Sequence, residues 1–267
     1  MKNLKIMAIG QTLMLLLSIS CKKNENPPEV YQNTKFYTVS MTDNPGNYAG
    51  LSTEIKGVAA FSPKKGWVVL NSNTQVVEVL KLTNGKEILL GSISDSAAFD
   101  FTKLKIIFGQ HHWLKLKCKG AYPYSGEVES SHELEFEGDK ELIIELGCNL
   151  GNAVLIDFDV AASIIRDGDK YILKPCIKVI KDAKTGVSGK LSGESRAAVS
   201  LSNGEKTYIG FANAEGEFLI RGIEEGTYDL SVIIQSGDEK LAFLVILKLK
   251  GVIVKKGEIT AVGVIQL

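Results

Sequence analysis

The sequence predicts an all-β chain of two sandwiches, and three observations carry that prediction. From Phe36 onward apolar and polar residues alternate with a period of two, not the helical period of about 3.6. Turn-forming pairs punctuate the chain: Asn84-Gly85, Gly138-Asp139, Gly168-Asp169, Asn203-Gly204, Glu215-Gly216 and Glu225-Gly226. No segment carries the pattern of a long helix; Asp157 to Ile165 is expected to hold at most a helical turn, and Ser52 to Phe61 fits strand or helix equally.

Residues 1–20 are read as a signal peptide. Lys2 and Lys5 form a basic start, Ile6 to Leu17 is mostly apolar, and Ser18-Ile19-Ser20 supplies small residues before Cys21. The apolar stretch is too short and too interrupted for a permanent span. Residues 21–35 are polar, carry Pro27 and Pro28 and show no apolar period, so they read as a flexible tether.

The first folded domain is placed at 36–182. Lys35 to Met41 alternates, as does Leu114 to Lys119 with lysines on the polar face and Glu133 to Glu137 with acids there. One-sided strands of this kind belong in antiparallel sheets with one wet face. Tyr171 to Ile180 reads as a single extended strand, and Asp182-Ala183-Lys184-Thr185-Gly186 marks the boundary. A fresh set of short strands fills the second domain, 187–267. The linker is short, so the two sandwiches are expected to touch.

The chain has 267 residues, with 31 basic and 31 acidic side chains in balance. Loss of the leader removes two lysines and leaves the rest slightly acidic, which gives nucleic acid nothing to bind. Hydrophobic residues at 45% and charged residues at 23% exclude a disordered, collagen-like or multi-span chain.

No catalytic pattern is visible: no Gly-x-Ser-x-Gly elbow, no His-Glu-x-x-His and no P-loop. The chain is therefore read as non-enzymatic and without cofactor. A zinc site from His111, His112 and His132 is disfavoured because adjacent strand residues face opposite ways, and exposed positions near a hairpin are expected instead. Asp157 and Asp159 share a face, and with Asp43 they are weak Ca²⁺ candidates; the competing reading is a polar edge at a strand end, with Asp159 capping the turn before Ser163. Beyond Cys21, the thiols Cys118, Cys148 and Cys176 either include one disulfide or are small buried hydrophobes. Tyr122-Pro123-Tyr124 and Trp113 are candidate ligand-stacking aromatics, while Trp67 is expected in the core.

Several of these segments resemble known families. Ser20-Cys21 at the end of an apolar run is similar to the lipobox of bacterial lipoproteins, which implies a covalent lipid on Cys21 and an outer-membrane anchor, on either the periplasmic or the surface side. The Lys22-Lys23-Asn24-Glu25-Asn26 run loosely resembles the export tag of surface lipoproteins in Bacteroidota-type bacteria. Met41-Thr42-Asp43-Asn44-Pro45, Gly66-Trp67-Val68-Val69-Leu70, Leu80 to Gly85, Leu155 to Ile165 and Leu173 to Val179 together resemble an uncharacterised lipoprotein domain family. That family implies no activity. Val187 to Leu191, Ala198 to Leu201 and Ala214 to Val232 resemble the carboxypeptidase regulatory-like domain, a transthyretin-type sandwich whose wider superfamily includes carbohydrate-binding members. The expected function is a binding or scaffolding module of the cell envelope, with a glycan or an envelope protein as partner. An adhesin or pilus-like assembly subunit is the alternative, and a hydrolase with an unrecognised site the remote one.

Overall fold

Alternation becomes strand along nearly the whole described chain. The structure, a computed structural model, describes residues 35–44, 48–95, 99–119, 127–147, 151–192, 197–213, 215–235 and 243–267. The first half runs β1 (Lys35–Asn44), β2 (Gly50–Ser62), β3 (Gly66–Asn71), β4 (Gln75–Glu78), a short 3-10 turn (Val79–Lys81), β5 (Ile88–Asp95), β6 (Lys103–Lys119), β7 (Glu127–Glu133), β8 (Glu135–Phe136), β9 (Glu141–Glu145), β10 (Ala153–Asp159), α1 (Val160–Ser163), β11 (Ile164–Asp167), β12 (Lys170–Leu173) and β13 (Ile177–Ile180). The second half runs β14 (Gly186–Ser192), β15 (Ala198–Ser202), β16 (Thr207–Phe211), β17 (Glu217–Arg221), β18 (Gly226–Gln235), β19 (Phe243–Val254) and β20 (Ile259–Gln266).

The first half has two main sheets. One has the order β13-β10-β1-β5, with β1 and β10 parallel. The other has the order β3-β2-β6-β7, with β4 also paired to β2 and β9 to β6. A small sheet, β11-β12-β8, accompanies them. Met41, Ile55, Leu104, Phe108, Ile156 and Phe158 belong to their common core. Each such side chain contributes roughly 1.5–3 kcal/mol by leaving water. The second half has the sheets β17-β14-β20 and β16-β15-β18-β19 around Val187, Leu201, Phe218, Tyr228 and Leu230. Phe218 and Ile220 share a buried face, as do Tyr228, Leu230 and Val232. Among the described residues no strand pair joins the two halves, yet both belong to one compact unit, Thr34–Leu267.

The ambiguous segment, Ser52 to Phe61, is strand, within β2. Its mixed pattern has a local cause. The register against β6 shifts on both sides of Ile55. Glu54 reaches into the irregularity and accepts the Gln110 and His111 backbone N–H groups at 2.6 and 3.2 Å. Those two donors hold its carboxyl below the usual carboxylate range.

Three expectations are corrected. The extended run from Tyr171 to Ile180 is two strands in different sheets, because Pro175 between them has no N–H to give a ladder. Cys176 therefore lies outside any strand, half-buried and free. Trp67 is 39% exposed and outside the core; its ring packs edge-on against Phe61 and lies 4.7 Å below the Lys105 ammonium. His112 is fully buried, with Nδ1 2.8 Å from the Thr53 hydroxyl and its ring beside Phe136. Burial pushes its pKa down. His111 faces outward, and the His132 ring lies against Tyr171, so the three imidazoles do not converge.

Glycine is required at the turn before β17. Gly216 has φ +78°, and a Cβ there would sit 2.3 Å from the Leu191 carbonyl oxygen, which itself cannot yield because it is backbone. Gly216→Ala is expected to cost about 2–4 kcal/mol, from left-handed strain plus that clash. Chemical denaturation of the variant checks it; an unchanged midpoint would contradict the geometry.

Candidate functional site

The two halves meet along a loop and a linker, and a cleft of about 910 Å³ opens beside that contact. The loop is the Asn84-Gly85 turn, with φ of 63° and 79°. The sequence marks it as a turn, and the structure uses it for docking. Asn84 Nδ2 donates to Glu217 Oε2 at 2.8 Å. Arg221 pairs with Glu87 and donates from Nη2 to the Gly85 carbonyl at 3.4 Å. The linker is held from the second half: buried Thr185 donates to Asp182 at 2.6 Å and accepts from the Gly257 N–H at 2.6 Å.

Asp43 lies at the end of β1, beside Phe158 of the parallel neighbour β10. It lines the cleft yet is only 7% exposed. Neither carboxyl oxygen has a hydrogen-bond partner among the described residues. Burial, with the Asp157 and Asp159 carboxylates nearby, pushes its pKa up to about 9. The group is thus a neutral acid at physiological pH, able to donate one hydrogen bond and accept others. Its neighbour Thr42 is fixed differently, with its hydroxyl 3.0 Å from both the Leu82 and Lys86 carbonyls.

Asp159 performs the capping task expected of it. Oδ1 accepts from the Ala162 N–H at 3.0 Å, opening α1, and Oδ2 accepts from Lys178 at 2.8 Å. That contact raises the Lys178 pKa. The strand carrying Asp157 and Asp159 is an inner one, not a sheet edge. Asp43, Asp157 and Asp159 thus gather at one end of β1 and β10, but among the described residues no three His, Cys, Asp or Glu side chains are arranged to hold a metal ion.

Arg221 is the cleft residue that sequence reading missed. Its Nε is buried and has no partner among the described residues, although both terminal nitrogens are engaged. In sequence it is only the basic end of an alternating strand; nothing there indicates its pairing with Glu87. Tyr208 lines the same cleft, its hydroxyl accepting from the Glu224 N–H at 3.3 Å. Trp113 stands elsewhere, on β6, 43% exposed. Cys21, Tyr122, Tyr124 and Cys148 lie outside the described residues, as does the Cys118 side chain.

Fold and cleft together define an all-β protein of several sheets with a polar cleft between its halves. The chain belongs to the family described as Domain of unknown function (DUF4382), which matches residues 36–175. No curated protein matches the chain. Among solved structures, the shaft pilin SpaA from Lactobacillus rhamnosus GG is similar at 10% identity over 87% of this chain and 96% of that one, with a TM-score of 0.21. A 9R-lipoxygenase from Cyanothece PCC8801 is similar at 14% identity over 40% of this chain, with a TM-score of 0.20; this chain spans 19% of the lipoxygenase. Likenesses at such TM-scores carry no argument about fold or function. No helix among the described residues is long and apolar enough to cross a membrane.

Proposed function

We propose that the protein is a non-enzymatic binding or scaffolding module of the cell envelope, held at the outer membrane by a lipid on Cys21. The observation that carries the binding role is the chemistry of the cleft. Its described lining mixes charged, hydroxyl and aliphatic side chains. It presents two buried polar groups unused by the fold, the Asp43 carboxyl and Arg221 Nε. Buried polar groups are ordinarily satisfied, so a water, an ion or a ligand is expected to meet each of these two. The lipid anchor is supported by the order of parts in residues 1–21 and by the resemblance of Ser20-Cys21 to a lipobox.

A carbohydrate ligand is the second reading. The second domain's resemblance to a carbohydrate-binding-like fold supports it, and so does the Trp113 ring, open to solvent on a sheet. A glycan array probed with the full chain tests both. Binding of intact glycans, weakened by Trp113→Ala at unchanged melting temperature, is the expected result for the carbohydrate reading. Cleavage of an arrayed glycan would contradict the non-enzymatic reading.

A further inference from the structure

Asn-Gly occurs twice in the chain, at Asn84-Gly85 and at Asn203-Gly204. The pair is chemically labile, because glycine has no Cβ to keep its backbone nitrogen away from the preceding side-chain amide. That nitrogen can attack the asparagine Cγ and close a cyclic imide. The N–Cγ bond forms, the Cγ–Nδ2 bond breaks, and the proton of the attacking nitrogen leaves with ammonia. Water then opens either imide carbonyl. The product is an aspartyl residue, or an isoaspartyl residue whose backbone runs through the side-chain carboxyl. The net change is an amide NH2 exchanged for OH, and water is the sole co-reactant.

The two pairs are held differently. Asn203 Oδ1 accepts from the Glu205 and Lys206 N–H groups at 3.0 and 2.8 Å, and the Gly204 N–H donates to Ser202 Oγ at 3.3 Å. Both the amide and the attacking nitrogen are thus engaged in that turn. The Asn84 turn is closed instead by the Lys86 N–H, which donates to the Thr83 carbonyl at 3.3 Å. Among the described residues the Gly85 N–H has no acceptor, and the Asn84 amide is held through Nδ2, by Glu217 Oε2. The glycine cannot be exchanged without cost. At φ +79° a Cβ on Gly85 would lie 2.8 Å from both Arg221 Nη2 and Leu219 Cδ2. Docking of the halves therefore requires the same glycine that makes Asn84 labile.

Conversion would reverse the contact from attraction to repulsion. A carboxylate in place of the Asn84 amide would face the Glu217 carboxylate, and like charges that close disfavour one another. The other groups on Glu217 are Lys190 at 3.9 Å and Asn213 Nδ2 at 3.4 Å. The isoaspartyl product also lengthens the backbone by one carbon, in a turn packed against Arg221 and Leu219. Gly85 and Arg221 both line the cleft. We propose that Asn84 is a deamidation site whose conversion loosens the docking of the two halves beside the cleft.

The test ages the full chain in warm, mildly alkaline buffer. Peptide mapping locates the converted residues, and amide exchange over 82–87 is compared before and after. Conversion at Asn84 ahead of Asn203 is expected. Exchange over 82–87 should quicken about tenfold or more, the effect of losing a hydrogen bond to a charged group. Asn84→Asp should show the same acceleration without ageing. Asn84→Gln keeps an amide but closes the imide far more slowly, so its own exchange should not change on ageing. Conversion of Asn203 with Asn84 intact would overturn the site. Unchanged exchange over 82–87 in the converted chain or in Asn84→Asp would overturn the docking role. Acceleration of Asn84→Gln on ageing would overturn it too, because the cause would then lie elsewhere.

Discussion

Asp43→Asn is expected to stabilise the protein at neutral and alkaline pH and to flatten its pH dependence. The folded-state pKa lies near 9, raised mainly by burial, against about 4 in an unfolded chain. The folded state thus retains a proton that the unfolded state has released. For a carboxyl shifted upward, the favourable contribution is whole below about pH 4 and is lost as pH rises toward about 9. At pH 7 the cost of keeping that proton is on the order of 4 kcal/mol. Asparagine keeps the size and removes the titration. Lys178, with Asp159, and Asp157 are the other charged groups named around the site and remain in place. Denaturation curves between about pH 4 and pH 9 check this. A wild-type stability that does not fall over this range, or a variant with the same slope, would contradict it.

Phe158→Ala is expected to cost about 3–5 kcal/mol, the usual range for emptying a buried aromatic site. Phe158 has no exposed surface, lies on an inner strand and packs in the first core. The variant also tests how far the halves behave as separate domains. Each half has its own buried cluster, and no described strand pair joins them. Faster amide exchange is therefore expected at Met41 and Ile156, with little change at Val199, Leu201 and Leu230. Equal acceleration in both halves would show that the Asn84–Glu217 and Arg221–Glu87 contacts bind them into one cooperative unit.

The sequence speaks clearly where a local rule decides. Period-two alternation locates most strands, and Gly216 is legible as a turn residue because only its backbone freedom fits there. Asp159 is legible as a cap for the same local reason. β16 leaves little mark in the sequence: Thr207–Phe211 places a glycine and two aromatics around one exposed isoleucine, which blurs the alternation. Trp67 misleads because a large aromatic beside a strand start reads as core, whereas Lys105 and Phe61 cover it from the outside. The cleft is the least legible part. Asp43 becomes buried only because β1 pairs in parallel with the distant β10, and Arg221 meets Glu87 only when the two halves dock. Long-range pairing of this kind leaves no periodic trace in either segment.

The proposal that a lipid on Cys21 holds the protein in the envelope has as its most direct test the mass of the N-terminal peptide of the membrane-extracted full chain, beside the Cys21→Ala variant. The expected wild-type result is a chain beginning at Cys21 and carrying acyl groups, with the variant released from the membrane or left unprocessed. Several acyl chains on one residue suffice for stable anchoring without a spanning helix. An unmodified Cys21, with membrane association unaltered in the variant, would contradict the proposed anchor.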